Sequence, residues 1–170
     1  MHNYYEWQDI LDIAKQKGKE PFLLIMDNLE DPRNFGAILR TAEATGVDGV
    51  IIPKRRSVQV TDTVRRTSTG AADVIPVAQV SNINDVIKRL QAEGVWIVGM
   101  EAEGSQDYRA VDYKMSVALV IGSEGNGISK LTRQLCDFMV KIPMFGQITS
   151  LNASVAAALL MYEVVRKRGY

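Results

Sequence analysis

Hydrophobic and polar residues follow two alternating patterns along the chain. Continuous apolar runs occupy residues 21–26, 49–53, 95–100 and 117–122, and mixed runs occur around 74–80 and 138–144. Such runs are typical of strands buried on both faces. Apolar residues at helical spacing occupy 4–19, 35–45, 83–94, 129–136 and 152–168. Strands alternating with helices predict an α/β fold, in which helices cover both faces of a mainly parallel sheet.

Ligands of such folds bind at the carboxyl ends of the strands. The pattern therefore predicts a site formed by three loops, which follow Met100, Ile121 and Met144. The first of three candidate motifs, NFGAILRTAEATG at 34–46, reads as a helix with Asn34 as its N-cap and Gly46 at its end.

Arg40 is a permanently charged residue inside this otherwise apolar segment. A helical side chain leans toward the helix N-terminus, so Arg40 is expected to reach over Gly36 and Ala37 toward free backbone N–H groups. An anion such as a nucleic-acid phosphate would bind well there. The alternative is a surface arginine in an ordinary ion pair with Glu43.

The second motif is the glycine-rich stretch VIGSEGNGIS at 120–129. Its glycine order differs from the dinucleotide fingerprint, and Ile128 stands where a phosphate-binding loop requires lysine. Glu124 would repel a phosphate, which disfavours NAD and ATP. A ligand with an adenosine and a sulfonium but no phosphates is compatible. The alternative is a glycine-rich turn in which Ser129 caps the next helix.

The third motif joins a strand that ends near Pro143 to a polar loop with Ser150 and Asn152. The helix that follows is apolar nearly all round, so it must be buried on several sides, either in the core or against another subunit. Ser150 and Asn152 have an alternative interpretation as simple helix caps.

Composition argues against a disulfide, a metal site and a membrane partner. Net charge is zero, the single cysteine is Cys136 and the single histidine is His2. We therefore expect a reducing cytoplasmic location, no disulfide and no metal site. No apolar run is long enough to span a membrane, so no membrane partner is expected. A local basic cluster is either a phosphate-binding track or ordinary solvated charge; it contains Lys54, Arg55, Arg56, Arg65 and Arg66, with Asp62 as the only acid among them.

With all three motifs in view, the sequence resembles the TrmH family of the SPOUT superfamily. Asn34 and Arg40 match the family's first motif, IGSEGNGIS matches the second, and IPMFGQITSLNASVA at 142–156 matches the third. The resemblance covers about residues 21–168. It implies S-adenosylmethionine as methyl donor, RNA as substrate, a C-terminal trefoil knot, and a homodimer with active sites at the subunit interface. Within the family, the sequence is most similar to enzymes that methylate a guanosine 2′-hydroxyl of 23S ribosomal RNA.

The resemblance also implies roles for particular residues. The family's catalytic positions correspond to Asn34, Arg40, Glu124, Ser150 and Asn152. The donor pocket corresponds to Met100, Gly122, Ile142, Met144 and Leu151. The RNA track is expected at Arg55, Arg56, Arg65 and Arg66.

Two roles for Arg40 stay open. The family proposal makes it the base that takes the 2′-hydroxyl proton, but deprotonating an arginine at neutral pH costs roughly 7 kcal/mol. The other role is a clamp that binds the RNA phosphate and orients the 2′-oxygen, with Asn34 holding the guanidinium. In that role Ser150 would hold the phosphate or the hydroxyl.

The domain prediction is a lead-in helix or linker remnant at 1–20, followed by a catalytic domain at 21–170. Family members of this kind usually carry an N-terminal RNA-binding domain. Two alternative functions follow: a non-catalytic RNA-binding or assembly module, or an engineered knotted domain that lacks its RNA-recruiting part.

Overall fold

Parallel strands form a single sheet in the computed structural model, which describes residues 2–104, 106–123 and 127–169. The strands are β1 Phe22–Met26, β2 Gly49–Pro53, β3 Val77–Val80, β4 Trp96–Met100, β5 Gln106–Asp107, β6 Val117–Ile121 and β7 Phe138–Lys141. Their order across the sheet is β3-β2-β1-β6-β4-β7-β5, and each neighbouring pair is parallel. The helices are α1 Trp7–Gln16, α2 Pro32–Ala44, α3 Asp62–Thr67, α4 Ile83–Ala92, α5 Lys130–Leu135 and α6 Ala153–Lys167.

Helices cover both faces of the sheet, as predicted. Side chains alternate along each strand, so Leu24 and Met26 of β1 pack in one hydrophobic cluster with α2, α3 and α6. Leu23 and Ile25 pack in a second cluster with α1 and α4. Because both faces are buried, β1 reads as a continuous apolar run rather than an alternating one.

The boundary of α2 differs from the prediction. The helix begins at Pro32, and Asp31 is its N-cap because the Asp31 carboxylate accepts a hydrogen bond from the Arg33 amide at 2.8 Å. Proline suits the first helical position, since its missing N–H would have no partner there. The prediction that Asn34 caps this helix was therefore wrong. The predicted end is confirmed, because Gly46 adopts φ +79°.

Gly36 has a packing role that the sequence did not indicate. A Cβ atom at this position would overlap the Thr67 side chain, so the glycine lets α3 pack directly against α2. The expectation that Gly36 opens a path for the Arg40 side chain was wrong, because Gly36 faces α3 and is buried.

The remaining elements agree with the prediction to within a few residues at their ends. The lead-in helix starts at Trp7 rather than residue 4, and Trp7 and Ile10 are buried against the sheet. The Tyr5 amide also donates to the Val77 carbonyl at 2.8 Å. Neither α3 nor β5 was predicted. The trefoil knot and the division of the chain at residue 20 stay predictions.

Candidate functional site

A cleft of about 610 Å³ opens at the carboxyl ends of β4 and β6, beside the segment that follows β7. This is the edge of the sheet at which the sequence placed the site. All five residues predicted for the donor pocket line it, namely Met100, Gly122, Ile142, Met144 and Leu151. Ser150, one of the predicted catalytic residues, lines it too and is exposed. The three predicted loops therefore meet in one place.

The two described ends of the glycine-rich motif, Ser123 and Gly127, meet at one wall of the cleft. The Gly127 amide donates to the Ser123 carbonyl at 2.8 Å, and Gly127 has φ +59°. A Cβ atom at Gly122 would overlap the Gly127 carbonyl, so the close approach of these two residues requires a glycine at 122. Glu124, predicted to be catalytic, lies outside the described residues.

Two carboxylates at this edge were not predicted. Asp27 follows β1 directly, is 6% exposed, and accepts a hydrogen bond from the Ser129 amide at 2.7 Å. It thereby ties β1 to the end of the glycine-rich turn. Glu101 follows β4 directly and lines the cleft. The signal that could have identified both is an acidic residue placed immediately after a buried apolar run.

Charge in the cleft is sparse. Among the described lining residues, Glu101 alone carries a formal charge, and neither lysine nor arginine is present. Its Oε1 pairs with Arg133 Nε at 2.8 Å. Among the described lining residues, a ligand phosphate would therefore meet a carboxylate and no cation.

A side-chain hydrogen bond connects the first and third motifs. Asn152 Nδ2 donates to Asn34 Oδ1 at 3.2 Å. Asn152 also caps α6, because its Oδ1 accepts from the Ser154 amide at 2.9 Å and the Val155 amide at 3.3 Å. The capping interpretation of Asn152 is confirmed. The expected contact between Asn34 and the Arg40 guanidinium is absent from the described part of the chain, and Asn34 binds Asn152 instead.

Arg40 lies outside the cleft in a single protomer. It is exposed and is eight residues beyond Pro32, hence about 12 Å along the helix axis. The expectation that its guanidinium approaches the start of α2 was therefore wrong, since the helix begins earlier than predicted. Arg40 shares the outward face of α2 with Ala37 and Ala44. Among the described residues it makes no hydrogen bond, and the ion pair with Glu43 that was its alternative interpretation is not formed.

The basic cluster is partly neutralised. Arg65 pairs with Asp62 at 3.1 Å and with Asp73 at 3.4 Å. Arg66 donates to the Thr63 hydroxyl at 3.3 Å. The sequence count missed Asp73 because it follows the cluster in the chain. Three further cluster members are exposed and make no ion pair among the described residues: Lys54, Arg55 and Arg56.

Neither a metal nor a membrane site emerges from the described ranges. No three His, Cys, Asp or Glu side chains there gather closely enough to hold a metal ion. In those same ranges, no helix combines the length and apolar character that crossing a bilayer requires.

Fold and cleft together define a class of protein. A parallel α/β sheet with a largely apolar cleft at its carboxyl edge is the usual arrangement of enzymes that bind a nucleoside-containing ligand. The described lining residues are mostly apolar and include one carboxylate, that of Glu101.

Comparison with known proteins makes the assignment specific. Residues 21–162 match the SpoU rRNA Methylase family, and the chain belongs to that family. YacO of Bacillus subtilis, assigned to the TrmH family of tRNA/rRNA methyltransferases, is 52% identical over 167 residues, which are 98% of this chain and 67% of YacO. A Staphylococcus saprophyticus protein with the same assignment is 56% identical over 169 residues, 98% of this chain and 68% of its own length.

Solved structures show the same fold. The SpoU methyltransferase AviRb from Streptomyces viridochromogenes, in complex with AdoMet, superposes with a TM-score of 0.82 at 33% identity, over 88% of this chain and 61% of AviRb. The AdoMet-bound rRNA methyltransferase from Sinorhizobium meliloti superposes with a TM-score of 0.85 at 31% identity, over 97% of this chain and 61% of the other. The chain thus spans less than two thirds of these two proteins.

Proposed function

We propose that this chain transfers a methyl group from S-adenosylmethionine to a ribose 2′-hydroxyl of RNA, with a guanosine of 23S ribosomal RNA as the target. We further propose that it acts as a homodimer in the cytoplasm. One observation carries the proposal: a single cleft gathers Ser150 and all five residues assigned to the donor pocket from the sequence. A solved structure described as an RNA 2′-O ribose methyltransferase, with a TM-score of 0.79 at 28% identity, supports the choice of acceptor.

The residues of the cleft fit the donor. Its lining is mostly apolar with a few polar groups, as is usual for small-molecule sites. Apolar walls that include Ile121, Ile142 and Leu151 suit an adenine ring, and the backbone around Gly122 offers hydrogen-bonding groups. Glu101 suits the hydroxyls or the positive charge of the donor, which carries no phosphate.

When bound, S-adenosylmethionine supplies an electrophilic methyl group on a sulfonium, and the ribose 2′-oxygen accepts that group while it loses its proton. The chain's own contribution is orientation, since alignment of the reacting groups accounts for a large part of such rate increases. We assign the 2′-hydroxyl or the adjacent phosphate to Ser150, because this residue is exposed and lines the cleft. The Asn34–Asn152 hydrogen bond holds the start of α6 near α2.

Arg40 acts as a clamp in this proposal. It stays protonated, binds the RNA phosphate through its planar guanidinium, and leaves the proton to be lost to water late in the reaction. Because Arg40 does not line the cleft of its own protomer, we assign it to the cleft of a second copy.

The surface of α6 supports association with a second copy. Val155, Leu159 and Tyr162 are 49%, 40% and 52% exposed and lie on one face of the helix. They form a shallow groove with Ala37 and Thr41 of α2, the helix that carries Arg40. A mostly apolar face next to a functional residue is typical of an interface between subunits. An interface there would cover the apolar residues of α6 that the core leaves exposed.

Methyl incorporation tests the proposal. The chain is incubated with S-adenosylmethionine and either 23S ribosomal RNA or transfer RNA, and digested nucleosides are analysed by mass spectrometry. We expect 2′-O-methylguanosine from the 23S RNA. Methylation on a base, or donor binding without any transfer, would refute the proposed reaction.

Arg40→Lys distinguishes the clamp from the base, with Arg33→Lys on the same helix face as the matched control. Lysine keeps a charge but lacks the planar pair of donors. The clamp predicts a fall in activity at every pH for Arg40→Lys only. Full activity of Arg40→Lys, or activity that rises with pH to the wild-type level, would reject the clamp.

A further inference from the structure

Glu101 is the one described charge that lines the cleft, and the scheme above leaves open which group of the donor it binds, a hydroxyl or a positive charge. Its side chain is 15% exposed. Its amide donates to the Val140 carbonyl at 3.1 Å, which fixes the backbone at the end of β4. A charged side chain this well buried requires partners for both carboxylate oxygens.

Within the described residues, one of the two oxygens has a charged partner. Oε1 pairs with Arg133 Nε at 2.8 Å. Oε2 lies 3.8 Å from the point that a Cβ atom would occupy on Gly127, next to the glycine-rich turn that lines the cleft. Arg133 also donates to the Ile128 carbonyl at 3.4 Å, so the guanidinium is held on the protein side of the carboxylate. The ion pair therefore engages Oε1 and leaves Oε2 beside Gly127, which lines the cleft.

We propose that Glu101 Oε2 accepts a hydrogen bond from a ribose hydroxyl of the methyl donor and is a specificity-determining residue of the donor cleft. The inference rests on the proposed function, since it takes S-adenosylmethionine as the ligand of this cleft.

The ribose is favoured over the donor's positive groups by electrostatics. The Glu101–Arg133 pair has no net charge, so its attraction for a sulfonium or ammonium decays steeply with distance. A hydrogen bond to a hydroxyl needs only the local acceptor. An acidic residue bound to a ribose hydroxyl is also the arrangement by which other parallel α/β proteins recognise nucleosides at this edge of the sheet.

Calorimetric titration with S-adenosylhomocysteine and its 2′-deoxy and 3′-deoxy analogues tests the assignment. We expect Glu101→Gln to weaken binding of S-adenosylhomocysteine by about 10- to 100-fold, the range for a hydrogen bond to a charged group. The analogue that lacks the hydroxyl bound by Glu101 should bind the wild type about 10- to 100-fold more weakly than S-adenosylhomocysteine does. Glu101→Gln should then lower the affinity for that analogue little or not at all. If both analogues lose as much affinity as the parent compound does on mutation, Glu101 does not contact a ribose hydroxyl and the inference fails.

A second comparison separates the hydroxyl from the sulfonium. S-adenosylmethionine and S-adenosylhomocysteine share the ribose, but only the first carries a charge on sulfur. The hydroxyl contact predicts that Glu101→Gln weakens both ligands by the same factor, to within about twofold. A much larger loss for S-adenosylmethionine would overturn the assignment in favour of charge recognition.

Two further variants control for structure. Glu103→Gln changes an exposed carboxylate in the same connection that does not line the cleft, and should leave all affinities unchanged. Arg133→Gln removes the ion pair but keeps the acceptor, so it should preserve the discrimination between the parent compound and the sensitive deoxy analogue. A purely structural ion pair predicts instead that Arg133→Gln and Glu101→Gln behave alike. If the wild type itself fails to bind S-adenosylhomocysteine, the donor assignment fails as well; if only Glu101→Gln is without effect, the proposed function stands.

Discussion

Asn152 combines a helix cap with a contact between two motifs, and mutation can separate the two roles. Its Oδ1 accepts from the first amides of α6, and its Nδ2 donates to Asn34 Oδ1 at 3.2 Å. Asn152→Asp keeps a good capping oxygen but loses the donor to Asn34. Asn152→Ala loses both. Asn82→Ala is a matched control, because Asn82 caps α4 in the same way, through the Asn84 and Asp85 amides.

The structure sets the size of each effect. A lost N-cap costs about 1 kcal/mol, and the exposed amide–amide hydrogen bond contributes about 0.5 kcal/mol. Asn152→Ala should therefore lower the free energy of unfolding by about 1.5 kcal/mol, Asn82→Ala by about 1 and Asn152→Asp by about 0.5. The residues just before the cap, including Ser150 and Leu151, line the cleft. If the whole capping energy of about 1 kcal/mol serves to order these residues for donor binding, its loss lowers the affinity for the donor by at most about fivefold.

Urea unfolding and calorimetric titration with S-adenosylhomocysteine measure the two quantities. We expect Asn152→Ala to weaken donor binding, whereas Asn152→Asp and Asn82→Ala leave it unchanged. Methyl transfer should fall in Asn152→Asp despite normal donor binding, because the contact with Asn34 is lost. Equal weakening by Asn82→Ala and Asn152→Ala would show that global stability, not the local cap, sets affinity. Unchanged affinity in Asn152→Ala would refute the link between the cap and the cleft.

Three further predictions concern the surface and the single thiol. Replacing Arg55 and Arg56 by glutamine should reduce the slope of log K for RNA binding against log salt concentration by about one unit per lost phosphate contact. Arg65→Gln should change this slope less, because two aspartates already pair with Arg65. Equal slopes for all variants would exclude this RNA track. Leu159→Asp should yield a folded monomer by light scattering and abolish methyl transfer, and an intact dimer would place the interface elsewhere. Burial raises the pKa of the Cys136 thiol to about 12, so a thiol reagent at pH 8 should react at least roughly 100-fold more slowly with native than with unfolded protein; comparable rates would contradict that environment.

Much of the fold could be predicted because its strands are buried on both faces. The segment of β1, for example, is apolar throughout, and such a short apolar run predicts a buried strand. Strand order was harder, because β6 inserts between β1 and β4 through long-range pairing that no local pattern encodes. The start of α2 was misplaced because Asn34 is a good N-cap in isolation, while the combination of Asp31 and Pro32 is a better one.

The hydrophobic pattern predicted the site where its residues follow strands, whereas Ser150 and Leu151, which precede α6, were identified through the family resemblance. Cleft-lining residues such as Met100 and Gly122 end a strand or directly follow one, and the carboxyl edge of a parallel sheet brings such positions together. The Asp27–Ser129 hydrogen bond joins residues 102 positions apart, and nothing near either residue indicates it. The role of Gly36 was missed for another reason. The glycine itself was noted in the sequence, but it packs against Thr67, which belongs to a helix that was not predicted.

The two halves of the proposed site depend on different levels of structure. The donor half is built from chain segments that meet within one protomer, since the ends of β4 and β6 and the loop before α6 share a cleft. The acceptor half requires Arg40, which α2 carries on its outward face away from that cleft. Burial explains this division, because the inward positions of α2 are occupied by Phe35, Ile38 and Leu39. A charged residue on this helix can therefore act only at the outer surface, and the exposed apolar face of α6 beside it is where a second copy would complete the site. A single protomer should therefore bind the donor, whereas methyl transfer should require the dimer.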